Sequence, residues 1–194
     1  MNDMMLLGLD CETTGLHVDA DILTIYLGVV DQEYKIIQSL DLKVKPNPDD
    51  GRSVYSVEPD ALRVNKIDLL EHDKNAVTYD EASKLIYQWL QSMYQLFGKL
   101  VPFGNNVQSD IDIVNRLILR KKSWNNFVSP IVIELSTLGQ FNNFLLHERK
   151  SLSLSNVAKQ FGIEIDEKRL HTAEYDVILG AEVLQKYANM FACS

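Results

Sequence analysis

Little in this 194-residue sequence could cross-link it, thread it through a membrane or coat it onto a nucleic acid duplex. It has two cysteines, Cys11 and Cys193. They form neither a disulfide framework nor a zinc-ligand spacing, so a reducing, cytoplasmic setting is expected. No apolar run is long enough to span a bilayer, and no basic region with a signal-like core opens the chain. The protein is therefore expected to stay in the compartment where it is made, with no membrane partner. Positive charge is also scarce, with 19 Lys and Arg against 27 Asp and Glu for a net charge of −8, which argues against tight sequence-independent duplex coating. Internal repeats, low-complexity stretches and linkers are missing too, so one domain over residues 1–194 is expected, with an ample core.

The charge deficit is uneven. Residues 1–98 carry 8 basic and 17 acidic side chains, whereas residues 99–194 carry 11 and 10. Arg116, Arg120, Lys121 and Lys122 form a basic cluster whose commoner meaning is a solvated helix face. Any polyanion contact is expected in the second half.

What the sequence does contain begins with an unbroken apolar run from Met4 to Leu9, which suits a strand buried on both faces. It ends in Asp10-Cys11-Glu12-Thr13-Thr14-Gly15. Alternation along a strand sends Asp10 and Glu12 to one face and Cys11 to the other. Two meanings are open at this point. The acids are either the first solvated residues past a core strand or a pair of like charges that a hard divalent cation neutralises.

Ile22–Asp31 and Tyr34–Val44 predict an antiparallel hairpin closed by Asp31-Gln32-Glu33, and residues 46–51 a loop. An irregular helix is expected over 60–72. Thr78 and Glu81 form a capping box for a helix whose apolar face is Ala82, Leu85, Ile86, Trp89, Leu90, Met93, Leu96 and Phe97. Trp89 reads as core rather than as a base-stacking platform. Lys99–Gly104 predicts a strand that Pro102 puts at an end or edge. Asn105 and Asn106 open a helix to about Lys122, and Phe127–Leu135 is β-like. Ser151 or Ser153 caps a short helix reaching Phe161 and stopped by Gly162. Thr172 caps a last helix with Val177, Ala181, Leu184, Ala188 and Phe191 inward. The class is α/β: a mixed central sheet with a leading antiparallel hairpin, flanked by helices.

Two further carboxylates lie at element boundaries. Asp110 follows Asn106 by one helical turn, and Asp176 follows His171 by five residues. The helix dipole accounts for an acid in a first turn, but not for the accompanying asparagine and histidine.

In this arrangement the sequence resembles the DnaQ-like, or DEDD, 3′–5′ exonucleases. Asp10-Cys11-Glu12-Thr13-Thr14-Gly15 is similar to their first motif. Gly104-Asn105-Asn106-Val107-Gln108-Ser109-Asp110 is similar to their second, G-H-N-x-x-x-D, with Asn105 in place of the common histidine. His171-Thr172-Ala173-Glu174-Tyr175-Asp176 is similar to their third, H-x-x-x-x-D. Ser151-Leu152-Ser153-Leu154 through Gly162-Ile163 resembles the helix before it, so the likeness spans about residues 4–190. A histidine five residues before the last aspartate, with Thr172 where another subfamily has tyrosine, marks the DEDDh type.

The resemblance implies an RNase H-like fold and a metal-dependent enzyme cutting single-stranded 3′ ends, DNA favoured over RNA, to 5′-mononucleotides. It implies that Asp10, Glu12, Asp110 and Asp176 hold two divalent ions, Mg²⁺ or Mn²⁺, and that His171 is the general base. Thr13, Gly15, Leu16 and Asn106 would receive the substrate, although Leu16 after a turn could equally be core. Glu134 stands near a position where the family often has aspartate and is given no role. His17, His72 and His147 are expected at the surface. The family also allows RNA trimming, a polymerase or repair partner with contacts in 46–75, and catalytically idle binding of nucleic acid ends.

Overall fold

The computed structural model describes residues 4–48 and 55–192. Residues 49–51 of the expected loop and Cys193 lie outside the described residues. The sheet is built around β1 (Leu6–Thr13), and its strand order is β4-β3-β2-β1-β5-β6. β2 (Ile22–Val30) and β3 (Ile36–Lys45) form the expected antiparallel hairpin, with β2 antiparallel to β1. Its turn is tied by Asp31 Oδ1, which accepts the N–H groups of Glu33 and Lys35. β4 (Val77–Thr78) lies parallel to β3, β5 (Val101–Gly104) parallel to β1, and β6 (Ile133–Glu134) parallel to β5. The sheet is therefore mixed, as the sequence pattern required.

The period-2 pattern sorts side chains into two cores. On one face Leu7, Leu9, Ile25 and Leu27 pack with α3 (Tyr79–Phe97) and α4 (Val107–Leu117). On the other, Tyr26, Val30 and Phe103 pack with α8 (Ala173–Ala192). The capping box starts α3: Thr78 Oγ1 accepts Glu81 N–H while Glu81 Oε2 accepts Thr78 N–H. Full burial of Ile86 and Leu90 on that helix stabilises the first core by about 1.5–3 kcal/mol each.

Several expectations are corrected. The 60–72 segment is two helices, α1 (Pro59–Asn65) and α2 (Leu69–Asn75), the second capped by the Asp68 side chain. The helix expected from Asn105 to Lys122 breaks after Leu117. The chain turns there to bury Leu119, and α5 (Lys121–Phe127) then buries Trp124 and Phe127. The β-like run 127–135 shrinks to a bridge from Val128 to Leu100 and the two residues of β6. α6 (Leu135–Leu145) follows directly, although Gly139, Asn142 and Asn143 weaken its helical signal.

Pro102 is interior, not at an edge. Val101 N–H donates to the Met5 carbonyl just before β1 and Leu100 N–H to the Phe127 carbonyl on the other side. The donor-less nitrogen of Pro102 thus faces the side where pairing lapses between Val128 and Ile133, which removes its usual penalty.

α7 (Leu154–Gln160) has Ser153 at its N-cap without a side-chain cap bond, and the chain leaves it through Gly162 at φ +69°. The Thr172 hydroxyl donates to the Arg169 carbonyl instead of capping α8. Phe191 on α8 is 59% exposed and Leu96 on α3 is 66% exposed, both near the C-terminal ends of their helices, and Leu85 is also exposed. His72 is not a surface residue: it is 4% exposed, with Nε2 2.9 Å from the Val44 carbonyl oxygen. Among the described residues, no helix is long and apolar enough to cross a membrane.

Candidate metal centre and active site

A missing side chain brings the site together. A Cβ on Gly8 would lie 2.3 Å from Val177 Cγ1, and Gly28 beside it on β2 also faces Val177. Glycine at these positions lets the first turn of α8 settle onto β1 and β2. Asp176 immediately precedes Val177, so the same contact carries its carboxylate to the end of β1. One oxygen each of Asp10, Glu12 and Asp176 lies within 4.8 Å of the others. Of the two meanings open for the Asp10–Glu12 pair, the convergence of a third acid from a distant helix favours the cation site.

Electrostatics at this cluster are unfavourable for a metal-free protein. Burial, and secondarily the Asp176 charge, pushes the Asp10 carboxyl up to about 8. Burial, then Asp10 and Asp176, pushes Glu12 up to about 9. Asp176 is also raised by burial, opposed by the nearby His171 charge and by the His171 backbone N–H that its carboxylate accepts. Its Oδ1 is buried with no hydrogen-bond partner. Three crowded carboxylates, one of them with an unpartnered buried oxygen, fit a hard divalent cation.

Asp110 reaches the site from the opposite face of the sheet and does not join the three mutually close oxygens. Its carboxylate accepts the Cys11 N–H, and burial followed by Asp10 raises it well above the ordinary range. Asn106 is the N-cap of α4, in the left-handed conformation at φ +66° and without a side-chain cap bond. Glu134, given no role from sequence, ties this corner down. Its Oε1 accepts the N–H of Asn106 and the N–H and hydroxyl of Ser136 at the start of α6. The acid directly before a helix was the sequence signal for it. Cys11, beside these acids, has its thiol raised well above its ordinary value by burial and by Asp110.

His171 is exposed and also left-handed, at φ +63°, in the turn that donates its N–H to Asp176. The first-motif turn is braced from three sides. Thr13 Oγ1 donates to the Gly15 carbonyl at 2.8 Å, Asn65 Nδ2 donates to the Thr13 carbonyl, and Glu58 Oε2 accepts the Leu16 N–H at 3.1 Å. Neither Asn65 nor Glu58 carried a motif signal. A Cβ on Gly15 would meet the Glu58 carboxyl carbon at 2.8 Å, so glycine allows the closeness. Leu16 is 98% exposed, which removes the core alternative for it.

Two clefts flank the carboxylates. A cleft of about 690 Å³ is lined by Asp10, Thr13, Gly15, Leu16, Asn106 and Asp110. Another, of about 430 Å³, is lined by Glu12, Asn65, His171 and several charged residues. Asp10 and Glu12, two residues apart on one strand, form the boundary between them.

No family model and no curated protein matches the sequence. Solved structures do resemble the fold. E. coli exonuclease I in complex with a dT13 oligonucleotide superposes with a TM-score of 0.74 at 18% identity, over 95% of this chain and 41% of that one. Exonuclease I from Methylocaldum szegediense gives 0.72 at 19% identity, over 94% and 40%. Cell-death related nuclease 4 gives 0.70 at 18% identity, over 97% and 65%. The chain thus spans about two fifths of the exonuclease I structures. The architecture is that of the RNase H-like fold carried by these exonucleases.

Proposed function

We propose that this chain is a metal-dependent 3′–5′ exonuclease of the DEDDh type, hydrolysing single-stranded 3′ ends to 5′-mononucleotides, with DNA favoured over RNA. The observation that carries the proposal is the meeting of the Asp10, Glu12 and Asp176 carboxylates. The structural likeness to exonuclease I and cell-death related nuclease 4 supports it at the level of fold.

In this proposal Asp10, Glu12, Asp110 and Asp176 hold two divalent ions, Mg²⁺ or Mn²⁺. When bound, such ions acidify a water and neutralise charge on the phosphate and leaving oxygen. The residues of the chain do the rest. Thr13, Gly15, Leu16 and Asn106 line the larger cleft and receive the terminal nucleotide, the exposed Leu16 side chain offering an apolar face to its base. His171, on the Glu12 side, accepts the proton of the attacking water at a ring nitrogen. Asp176 fixes the turn that presents it, through the His171 N–H. Glu134, which accepts the Asn106 N–H, and Glu58, which accepts the Leu16 N–H, act as positioning residues.

The test is digestion of 5′-end-labelled single-stranded DNA and RNA with Mg²⁺, Mn²⁺ or EDTA. The proposal expects a ladder shortening from the 3′ end, faster on DNA, and silence in EDTA. Digestion of RNA alone would move the substrate to RNA trimming. No cleavage of either strand in the presence of metal would leave an idle binder of nucleic acid ends.

A further inference from the structure

We propose that Arg169 and Tyr175 form a clamp that holds the turn carrying His171, which makes both of them positioning residues for the proposed base. This deepens the exonuclease proposal and rests on it.

His171 has little of its own to hold it. It is exposed, and at φ +63° it occupies a left-handed conformation that a residue with a Cβ keeps only where its surroundings impose it. The chain that delivers it, from Phe161 to Thr172, contains no helix or strand. A general base must stay within hydrogen-bond reach of the water it deprotonates, so this turn needs outside support. Asp176 gives some of it through the His171 N–H.

Tyr175 gives the rest from beneath. Its ring is buried in the second core, on the first turn of α8. Its hydroxyl oxygen accepts the Asp166 N–H at 2.8 Å, which ties down the chain ahead of the turn. Asp166 passes that constraint on. Its carbonyl accepts the N–H groups of Arg169 and Leu170, and its Oδ1 accepts the N–H of Lys168.

Arg169 closes the clamp. Its guanidinium carbon lies 4.8 Å over the same tyrosine ring, and its Nη2 is 3.2 Å from Glu174 Oε2. A planar guanidinium that stacks on a ring and bonds a carboxylate is fixed in orientation in a way that an ammonium is not. Its main chain then reaches across His171: the Arg169 carbonyl accepts both the N–H and the hydroxyl of Thr172. His171 is therefore bracketed by two residues bonded to each other, one of which is pinned to Tyr175. Arg169 lines the smaller cleft beside His171, but its charge is engaged by the protein itself.

The experiment measures kcat and KM on a labelled single strand, Mn²⁺ affinity, and the ¹⁵N order parameter of the His171 amide. The variants are Arg169→Gln, Arg169→Lys, Tyr175→Phe, and Arg169→Gln combined with His171→Ala. Arg169 is exposed and Tyr175→Phe removes only a hydroxyl, so both substitutions leave the core in place. Arg169→Gln should lower kcat about fivefold, with KM and Mn²⁺ affinity unchanged. Its His171 order parameter should fall from about 0.85 toward the flexible range below about 0.6. Tyr175→Phe should lower kcat about threefold, and Arg169→Lys should recover only part of the loss. In the His171→Ala protein, Arg169→Gln should lower kcat no further, because the clamp acts only through the imidazole. A further fivefold loss in that background, a rise in KM, or an unchanged order parameter overturns the clamp. Wild-type protein that hydrolyses no strand would instead overturn the exonuclease proposal, while the order parameter still reports whether Arg169 holds the turn.

Discussion

Asp10 and Glu12 set the residue-scale behaviour. Their carboxyls are raised to about 8 and about 9 in the folded chain, against about 4 in an unfolded one. The folded state therefore binds more protons than the unfolded state across that interval. Stability is fully present below about pH 4 and is lost as pH rises through 8 to 9. Asp110 and Asp176, also raised, act in the same direction. Metal-free protein should melt at progressively lower temperature from pH 4.5 to 9, and saturating Mg²⁺ should restore the loss at the alkaline end. A melting temperature flat across this range in EDTA would contradict the crowding described here. His171 belongs to the same scale. Because the four acids stay in place, His171→Ala should keep its affinity for Mn²⁺ and single strands yet lose about 10²–10⁴ in turnover. Near-wild-type turnover, or loss only through weaker metal binding, would remove it as the base.

At the scale of elements, the seating of α8 on β1 joins fold to site. Gly8→Ala forces a methyl into Val177, and overpacking of this kind costs about 1–3 kcal/mol. Because Asp176 adjoins Val177, the variant should also bind Mn²⁺ more weakly and hydrolyse more slowly. A variant destabilised but unchanged in metal affinity would separate the helix seating from the site. This seating was half legible in the sequence. The apolar run of β1, the hairpin and the Thr78 capping box declare themselves by local pattern, and the three acid-bearing segments by their offsets. Other features are set by distant partners. β4 and β6, two residues each, have no period to read, and β6 exists because β5 lies beside it. The break between α4 and α5 is made by burial of Leu119 and Trp124 rather than by a local stop signal. The roles of Glu134 and Glu58 depend on which backbone N–H groups the fold brings to them.

For the whole molecule, acidity and nucleic acid binding are reconciled by location. The net charge of −8 comes from the acidic excess of residues 1–98, whereas divalent ions would supply positive charge where the phosphate sits. Opposite clefts on the two sides of the acids suit a strand end entering the larger one. A linear single strand should be degraded and a covalent circle of the same sequence spared. Rapid cutting of the circle would indicate an endonuclease. The account depends most on the carboxylates being a metal site that drives hydrolysis. Calorimetric titration of Mn²⁺ into wild-type and Asp176→Asn protein near pH 7.5, paired with turnover of a single strand, tests this directly. Wild-type binding should release protons, because the raised Asp10 and Glu12 carboxyls must ionise to ligate. Asp176→Asn should bind at least about tenfold more weakly and hydrolyse nothing. Equal Mn²⁺ affinity in the two proteins, or full turnover in EDTA, would contradict it.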